Sequence, residues 1–186
     1  KIESGDKHLR KIWAKVLESR LHRGFPYVLY IDNINDNAPE VYKENNLKIV
    51  SSQLCTEIML SSSPTESFVC DLSSVNIVYY EDWKDSDLVE TMIFLLDAVM
   101  TDFINKARQI PYFEHAVSFA EKQRALGLGV LGWHSYLQSK MIPIESVMAR
   151  SINKLIFKRL QEQSIDASAK LAKMYGVPML LQGHNR

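Results

Sequence analysis

The sequence predicts an α/β fold in which segments with strand character come first and helices follow. Short apolar runs bounded by turn residues characterise the first 80 residues, whereas longer runs with helical periodicity fill residues 81–186. No internal repeat or low-complexity linker separates the two parts. We therefore predict a single fragment, with a strand-bearing part at residues 1–80 and a mainly helical part at residues 81–186.

In the first part, apolar residues recur at intervals of three and four across Lys7–Arg23, which predicts an amphipathic helix that ends at Gly24. A β-rich run at residues 27–31 predicts a short strand, closed by Asp32 and Asn33. Three further segments are predicted before residue 80: an extended stretch at 47–60, a tight turn at 61–64 and a second strand at 68–79.

The second part predicts three helices. The first is capped by Asp85 or Ser86 and is ended by Pro111, and the last spans residues 145–174. Between them, the glycine-spaced apolar stretch at 127–133 leads into a short helix that stops near Pro143. The glycine stretch lacks the Lys-Ser/Thr of a phosphate-binding loop, so it predicts close backbone packing and not nucleotide binding.

Composition excludes several classes of protein. Lys and Arg number 22, as do Asp and Glu, so the basic excess typical of nucleic-acid binding is absent. No apolar run approaches the roughly 20 residues that span a bilayer, and the charged start does not resemble a signal peptide. Two cysteines without secretory features predict reduced thiols and a cytoplasmic location. Because the chain starts at Lys and ends on a Gly-His-Asn-Arg run, we expect a piece of a longer polypeptide.

Residues 52–58 hold the strongest local signal for chemistry. In an extended backbone, Gln53, Cys55 and Glu57 would share one face. An amide, a thiol and a carboxylate are costly to bury together, so this face predicts a site where sulfur acts beside an acid or base. The alternative is that Cys55 is a packed core thiol, because free cysteines are often buried as small hydrophobes.

A second cysteine, Cys70, lies fifteen positions after Cys55. The predicted turn at 61–64 could place the two thiols side by side, which suggests redox chemistry. Zinc is not expected, because two cysteines and five histidines show no ligand-pair spacing such as CxxC or HxxxH.

These motifs resemble the active-site finger loop of class I ribonucleotide reductase large subunits. That family has an Asn-Leu-Cys-x-Glu motif and then a second cysteine in a Cys-x-Leu-(Ser/Ala) strand, similar here to residues 53–58 and 70–76. Residues 24–35, 124–136 and 176–178 resemble further family segments in the same order. The resemblance covers nearly the whole chain and identifies it as a central fragment of the catalytic barrel domain.

The resemblance implies a fold and a set of roles. The fold would be part of a ten-stranded α/β barrel with a central finger loop, helix-rich in its second half. Cys55 would become the thiyl radical that abstracts the 3′-hydrogen of a ribonucleotide, and Glu57 would accept the 3′-hydroxyl proton. Cys70 would be one of two thiols that reduce the substrate. Gln53 stands where the family usually has Asn, and would contact a sugar hydroxyl.

The resemblance also implies partners. A ribonucleoside diphosphate would be the substrate, a metal-containing small subunit would supply the radical, and thioredoxin or glutaredoxin would restore the thiols. We expect no cofactor or metal bound by this fragment, ATP or dNTP effectors on an N-terminal part, and a homodimer once the large subunit is complete. The fragment alone would be inactive. Two alternatives stay open: an adenosylcobalamin-dependent reductase, and a non-catalytic interaction module that retains the fold.

Overall fold

A computed structural model describes residues 2–184 of the protein, and it divides into two compact units. The first unit runs to Ser61 and the second begins at Ser62. The predicted division at residue 80 into a strand-bearing and a helical part stays a prediction.

The first unit begins with helix α1, Lys7–Arg23, which confirms the predicted element. Asp6 caps its start, because the carboxylate accepts hydrogen bonds from the amides of His8 and Leu9, both at 3.0 Å. Gly24 ends the helix in the left-handed conformation, with φ +79°. None of the α1 residues is buried in this structure.

Two short helices follow, α2 at Ile31–Asp36 and α3 at Glu40–Glu44. The strand predicted at 27–31 is wrong, because residues 27–30 have no regular structure and Ile31 opens α2. The side chain of Asn35 fixes α2 against a later segment: its amide nitrogen donates to the carbonyl of Ile49 at 2.8 Å, and its oxygen accepts from the Ile49 amide at 3.0 Å. A β-rich run needs a neighbouring strand to satisfy its backbone, and the described residues of this unit contain none.

The second unit is built on two parallel strands, β1 at Leu72–Asn76 and β2 at Gly127–Leu131. Their register pairs Leu72 with Gly127 and Asn76 with Leu131. Strand β1 is shorter than the predicted strand at 68–79, because the Asn76 carboxamide accepts a hydrogen bond from the Val78 amide at 3.0 Å and turns the chain. A 3₁₀ turn and the one-turn helix α4, Tyr80–Trp83, follow directly.

Four longer helices complete this unit: α5 at Leu88–Ala107, α6 at Glu114–Gln123, α7 at Trp133–Ser139 and α8 at Val147–Tyr175. The predicted helices of the second part are confirmed, with an additional helix, α6, between Pro111 and the glycine stretch. The cap of α5 differs from prediction, since Asp87 occupies that position while the Ser86 hydroxyl accepts from the Leu88 amide at 3.2 Å. Helices α4, α5 and α6 lie in the crossover between the strands, as a parallel pair requires.

The main core of the second unit lies where β1, α5, α7 and α8 meet. Helices α5 and α8 pack together, and an ion pair between Glu90 and Lys170 joins them at the surface. The buried residues of this core are Val75, Ile77, Tyr80, Trp83, Val89, Tyr136, Leu137, Ala149, Ile156 and Leu160. Two parallel strands covered by helices confirm the predicted α/β class.

The glycine stretch forms β2 and the turn after it, and close backbone packing there is confirmed. A Cβ on Gly127 would lie 2.3 Å from the Leu72 side chain, and one on Gly129 would lie 3.2 Å from the Ser74 hydroxyl. Gly132 caps α7 with φ +83°, and a Cβ there would lie 2.5 Å from the Asn76 carboxamide oxygen. These glycines let β2 approach β1 and the segment that follows it.

Among residues 2–184, no helix combines the length and apolar character needed to cross a membrane.

We predict that Gly132→Ala lowers the free energy of unfolding by about 2 kcal/mol, because it adds left-handed backbone strain and a clash with Asn76. Thermal unfolding measures the change. Gly24→Ala is the matched control, since its φ is also +79° but its Cβ would meet nothing within 4 Å. Equal losses in the two variants would contradict the role assigned to close packing.

Candidate active site

Cys55 lies in a turn of the first unit and not in an extended segment. The amide of Thr56 donates to the carbonyl of Gln53 at 3.1 Å, which reverses the chain at residues 54–56. Thr56 adopts the left-handed conformation, with φ +69°, unusual for a β-branched residue. Leu54 is 90% exposed, and both Cys55 and Glu57 are exposed. The turn therefore presents the thiol and the carboxylate outward on either side of Thr56.

The predicted extended stretch at 47–60, and the shared face that depended on it, are therefore wrong. Alternation of side chains requires a continuous extended backbone, and the positive φ at Thr56 interrupts it between Cys55 and Glu57. The alternative of a packed core thiol also fails, because Cys55 is exposed.

The base of this turn is closed by side chains. The carboxamide oxygen of Gln53 accepts a hydrogen bond from the Ile58 amide at 2.9 Å. The Ser52 hydroxyl lies 2.6 Å from that same oxygen and 2.6 Å from the Ile58 carbonyl oxygen. The two ends of the turn are thus joined across residues 52–58 without a strand ladder.

Cys70 belongs to the second unit and lies two residues before β1. It is exposed, and both cysteines are thiols that form no disulfide. Because Cys55 and Cys70 lie in different units, the approach of the two thiols stays a prediction.

A charged cluster follows Cys70 that the sequence analysis missed. Asp71 is buried, and its Oδ2 has no hydrogen-bond partner among the described residues. Arg124 lies nearby and donates to the Asp97 carboxylate from Nε at 2.9 Å and from Nη2 at 2.7 Å. Burial raises the pKa of Asp71, the charge of Asp97 raises it further, and Arg124 opposes both. The sequence did contain a signal for this cluster: Asp71 is a charged residue in an otherwise strand-like run.

Arg124 also fixes the start of β2. It ends α6 in the left-handed conformation, with φ +45°, and Nη2 reaches the Asp97 carbonyl at 2.9 Å and the Thr101 hydroxyl at 2.7 Å. Three residues later, the Gly127 amide donates to the Asp71 carbonyl at 2.9 Å. The segment that carries Cys70 is therefore tied to β2 by its backbone.

A metal site is not apparent in the part of the chain that the structure describes, where no three His, Cys, Asp or Glu side chains converge.

We predict that Asp71→Asn raises the free energy of unfolding at pH 7 by about 1 kcal/mol, because a buried charge is removed. The folded-state pKa of Asp71 lies above its usual value of 3.8, so the folded protein holds this proton more tightly than the unfolded chain does. The stability that Asp71 contributes is complete below pH 3.8 and is lost as the pH rises through the folded-state pKa.

Denaturant unfolding between pH 3 and pH 8 measures this difference, with Asp166→Asn, in the middle of α8, as an exposed control on the same unit. A gain for Asp71→Asn that grows on acidification would contradict the assignment.

Comparison with known proteins shows which family this chain resembles. The family model for the barrel domain of ribonucleotide reductase matches residues 1–182. A putative ribonucleoside-diphosphate reductase large subunit of Frog virus 3 (isolate Goorha) is 37% identical over 176 residues, which cover 94% of this chain and 31% of that protein. The ribonucleoside-diphosphate reductase large subunit of Invertebrate iridescent virus 3 is 36% identical over 167 residues, which cover 89% of this chain and 26% of that protein.

A solved structure agrees with these matches. The class Id ribonucleotide reductase alpha subunit of Actinobacillus ureae superposes with a TM-score of 0.91 at 48% identity, over 100% of this chain and 36% of that one. The predicted fold, a part of the reductase barrel, is confirmed by this match. The chain spans about a third or less of the length of these relatives. By its sequence and its fold, this chain belongs to the ribonucleotide reductase barrel-domain family.

Proposed function

We propose that this chain is the part of a ribonucleoside-diphosphate reductase large subunit that carries the radical cysteine. The observation that carries the proposal is the closed turn at residues 52–58, which presents Cys55 and Glu57 outward from a chain of this family. The reaction would convert ribonucleotides into deoxyribonucleotides for DNA synthesis. Its overall class is oxidoreductase.

Cys55 is the proposed radical residue. As a thiyl radical it would take the hydrogen atom from C3′ of the ribose, so that an S–H bond forms and a C–H bond breaks. Its exposed position on a turn suits this role, because the sulfur must reach the substrate carbon directly. The radical itself would come from a metal-containing small subunit.

Glu57 is the proposed base for the 3′-hydroxyl proton. Loss of that proton places electron density on the C3′ radical, which assists departure of the 2′-hydroxyl as water. Glu57 lies two residues from Cys55 and is exposed, so its carboxylate is open to a substrate bound at the turn. Gln53, whose amide nitrogen has no hydrogen-bond partner among the described residues, is the proposed contact to a sugar hydroxyl.

Cys70 is the proposed reductant. Together with a second thiol from another part of the large subunit, it would supply two electrons and two protons and end as a disulfide. Thioredoxin or glutaredoxin would then reduce that disulfide by thiol exchange. The exposure of Cys70 in this chain supports its access to a second sulfur.

The remaining partners belong to the proposal for the complete large subunit. Since the chain spans about a third or less of those proteins, the rest of a large subunit would enclose the turn and exclude water from the thiyl. We propose that the complete large subunit forms a homodimer in the cytoplasm, binds ribonucleoside diphosphates and takes ATP or dNTP effectors on an N-terminal part.

The alternatives are less well supported. An adenosylcobalamin-dependent reductase would use the same turn, but the 48% identical neighbour is a class Id alpha subunit. A non-catalytic interaction module would have no need of Cys55, Glu57 and Cys70 together, and this chain has all three.

We predict that Cys55→Ser in the complete large subunit, assayed with its small subunit, lowers deoxynucleotide formation by at least about 10⁴-fold, because a serine hydroxyl does not form the needed radical. Product formation from a ribonucleoside diphosphate is the measurement. The exposed Ser63→Ala change, outside the turn, is the control. Wild-type turnover in Cys55→Ser would exclude the proposed function.

We predict that Cys70→Ser blocks multiple turnover but leaves the first hydrogen abstraction in place, because only the reducing pair is broken. Rapid-freeze electron paramagnetic resonance should detect a substrate-derived radical in this variant and none in Cys55→Ser. Multiple turnovers with thioredoxin in Cys70→Ser would contradict the role of this thiol.

A further inference from the structure

Gln53 has an unusual pattern of contacts for a substrate-binding side chain. Its carboxamide oxygen is already engaged within the turn, accepting from the Ile58 amide at 2.9 Å and lying 2.6 Å from the Ser52 hydroxyl. Its backbone carbonyl accepts from the Thr56 amide at 3.1 Å. One residue thus holds two backbone amides, one on each side of Glu57.

The length of the glutamine side chain makes this arrangement possible. The bond from Gln53 to Ile58 crosses the whole base of the turn. An asparagine, whose side chain is one methylene shorter, would end about 1.5 Å short. At that length the 2.9 Å contact would leave hydrogen-bonding range unless the backbone moved. The additional methylene of glutamine therefore lets the side chain reach the Ile58 amide and close the turn.

The amide nitrogen of Gln53 indicates that the carboxamide group has a fixed orientation. Because the oxygen accepts from the Ile58 amide and lies against the Ser52 hydroxyl at the base of the turn, the amide nitrogen must point away from them. That nitrogen is buried and has no hydrogen-bond partner among the described residues. A rotated carboxamide would place two donors against the Ile58 amide, so only one orientation satisfies the loop.

We propose that Gln53 is a positioning residue that braces the turn through Ile58 and so sets the separation of the Cys55 sulfur from the Glu57 carboxylate. This inference rests on the proposed function, because it assigns the two groups to one reaction. Neither group is held by burial, since both are exposed on the turn. Their spacing therefore depends on the hydrogen bonds that close its base.

Two substitutions in the complete large subunit test the brace. Gln53→Met keeps the length but removes the acceptor, so the Ile58 amide should exchange hydrogen about tenfold faster. Gln53→Glu keeps an acceptor at the same reach, so exchange at Ile58 should stay as in the wild type. The Ile49 amide, which donates to Asn35 at 3.0 Å in the same unit, should be unchanged in both and reports correct folding.

Steady-state kinetics then distinguish a positioning role of Gln53 from a role in substrate binding. For Gln53→Met with the small subunit present, we expect kcat to fall about a hundredfold with a much smaller rise in KM for the ribonucleoside diphosphate, because the substitution also removes the proposed contact to a sugar hydroxyl. Ser51→Ala is the matched control, since this exposed serine lies beside the turn and its loss leaves the bonds of Ser52 and Gln53 to Ile58 in place, so protection at Ile58 should be retained.

Three outcomes would overturn the proposal: unchanged Ile58 exchange in Gln53→Met, faster exchange with full kcat, or a raised KM with unchanged kcat. If Gln53→Met also loosens Ile49, Gln53→Asn replaces it, and its shorter side chain should likewise expose Ile58. The exchange measurement needs no catalysis, so failure of the brace is distinguished from failure of the proposed function, which Cys55→Ser reports.

Discussion

Parallel pairing of β1 with β2 is the constraint on which the second unit depends. Paired residues of the two strands lie 55 positions apart, with Leu72 opposite Gly127, so the helices between them must form the crossover. Close pairing is favoured by Gly127, Gly129 and Gly132, because a Cβ at each would lie 2.3, 3.2 and 2.5 Å from a side-chain atom of β1. The amphipathic α5 then covers the pair and packs on α8, which completes the core.

The same pairing explains the buried charge beside Cys70. The Asp71 carbonyl accepts from the Gly127 amide, so the Asp71 side chain is held in the interior next to Asp97 and Arg124. Arg124 compensates Asp97 by two hydrogen bonds but leaves one oxygen of Asp71 unpaired. A buried carboxyl at this position reduces stability when it is ionised, and its pKa is raised in consequence.

The proposed radical cysteine is held by a different kind of structure. The turn at residues 52–58 has no strand ladder, and its ends are joined by the side chains of Ser52 and Gln53. Such a loop presents a thiol and a carboxylate without burying either, and it does so without the continuous extended backbone that would place Cys55 and Glu57 on one face of a strand. Its shape depends on a few hydrogen bonds, two of which are accepted by Gln53.

By itself, the sequence determined helices α1, α5, α7 and α8, the glycine-dependent packing and the family. Periodicity and capping residues are local signals, so α1 and α8 were predicted with their ends nearly correct. The ordered motifs around Cys55 and Cys70 led to the predicted site residues without knowledge of their geometry. The tertiary structure decided what those motifs become. The β-rich run at 27–31 forms no strand because it has no partner, and the turn at Cys55 depends on a side-chain bond from Gln53 to Ile58 that periodicity does not encode.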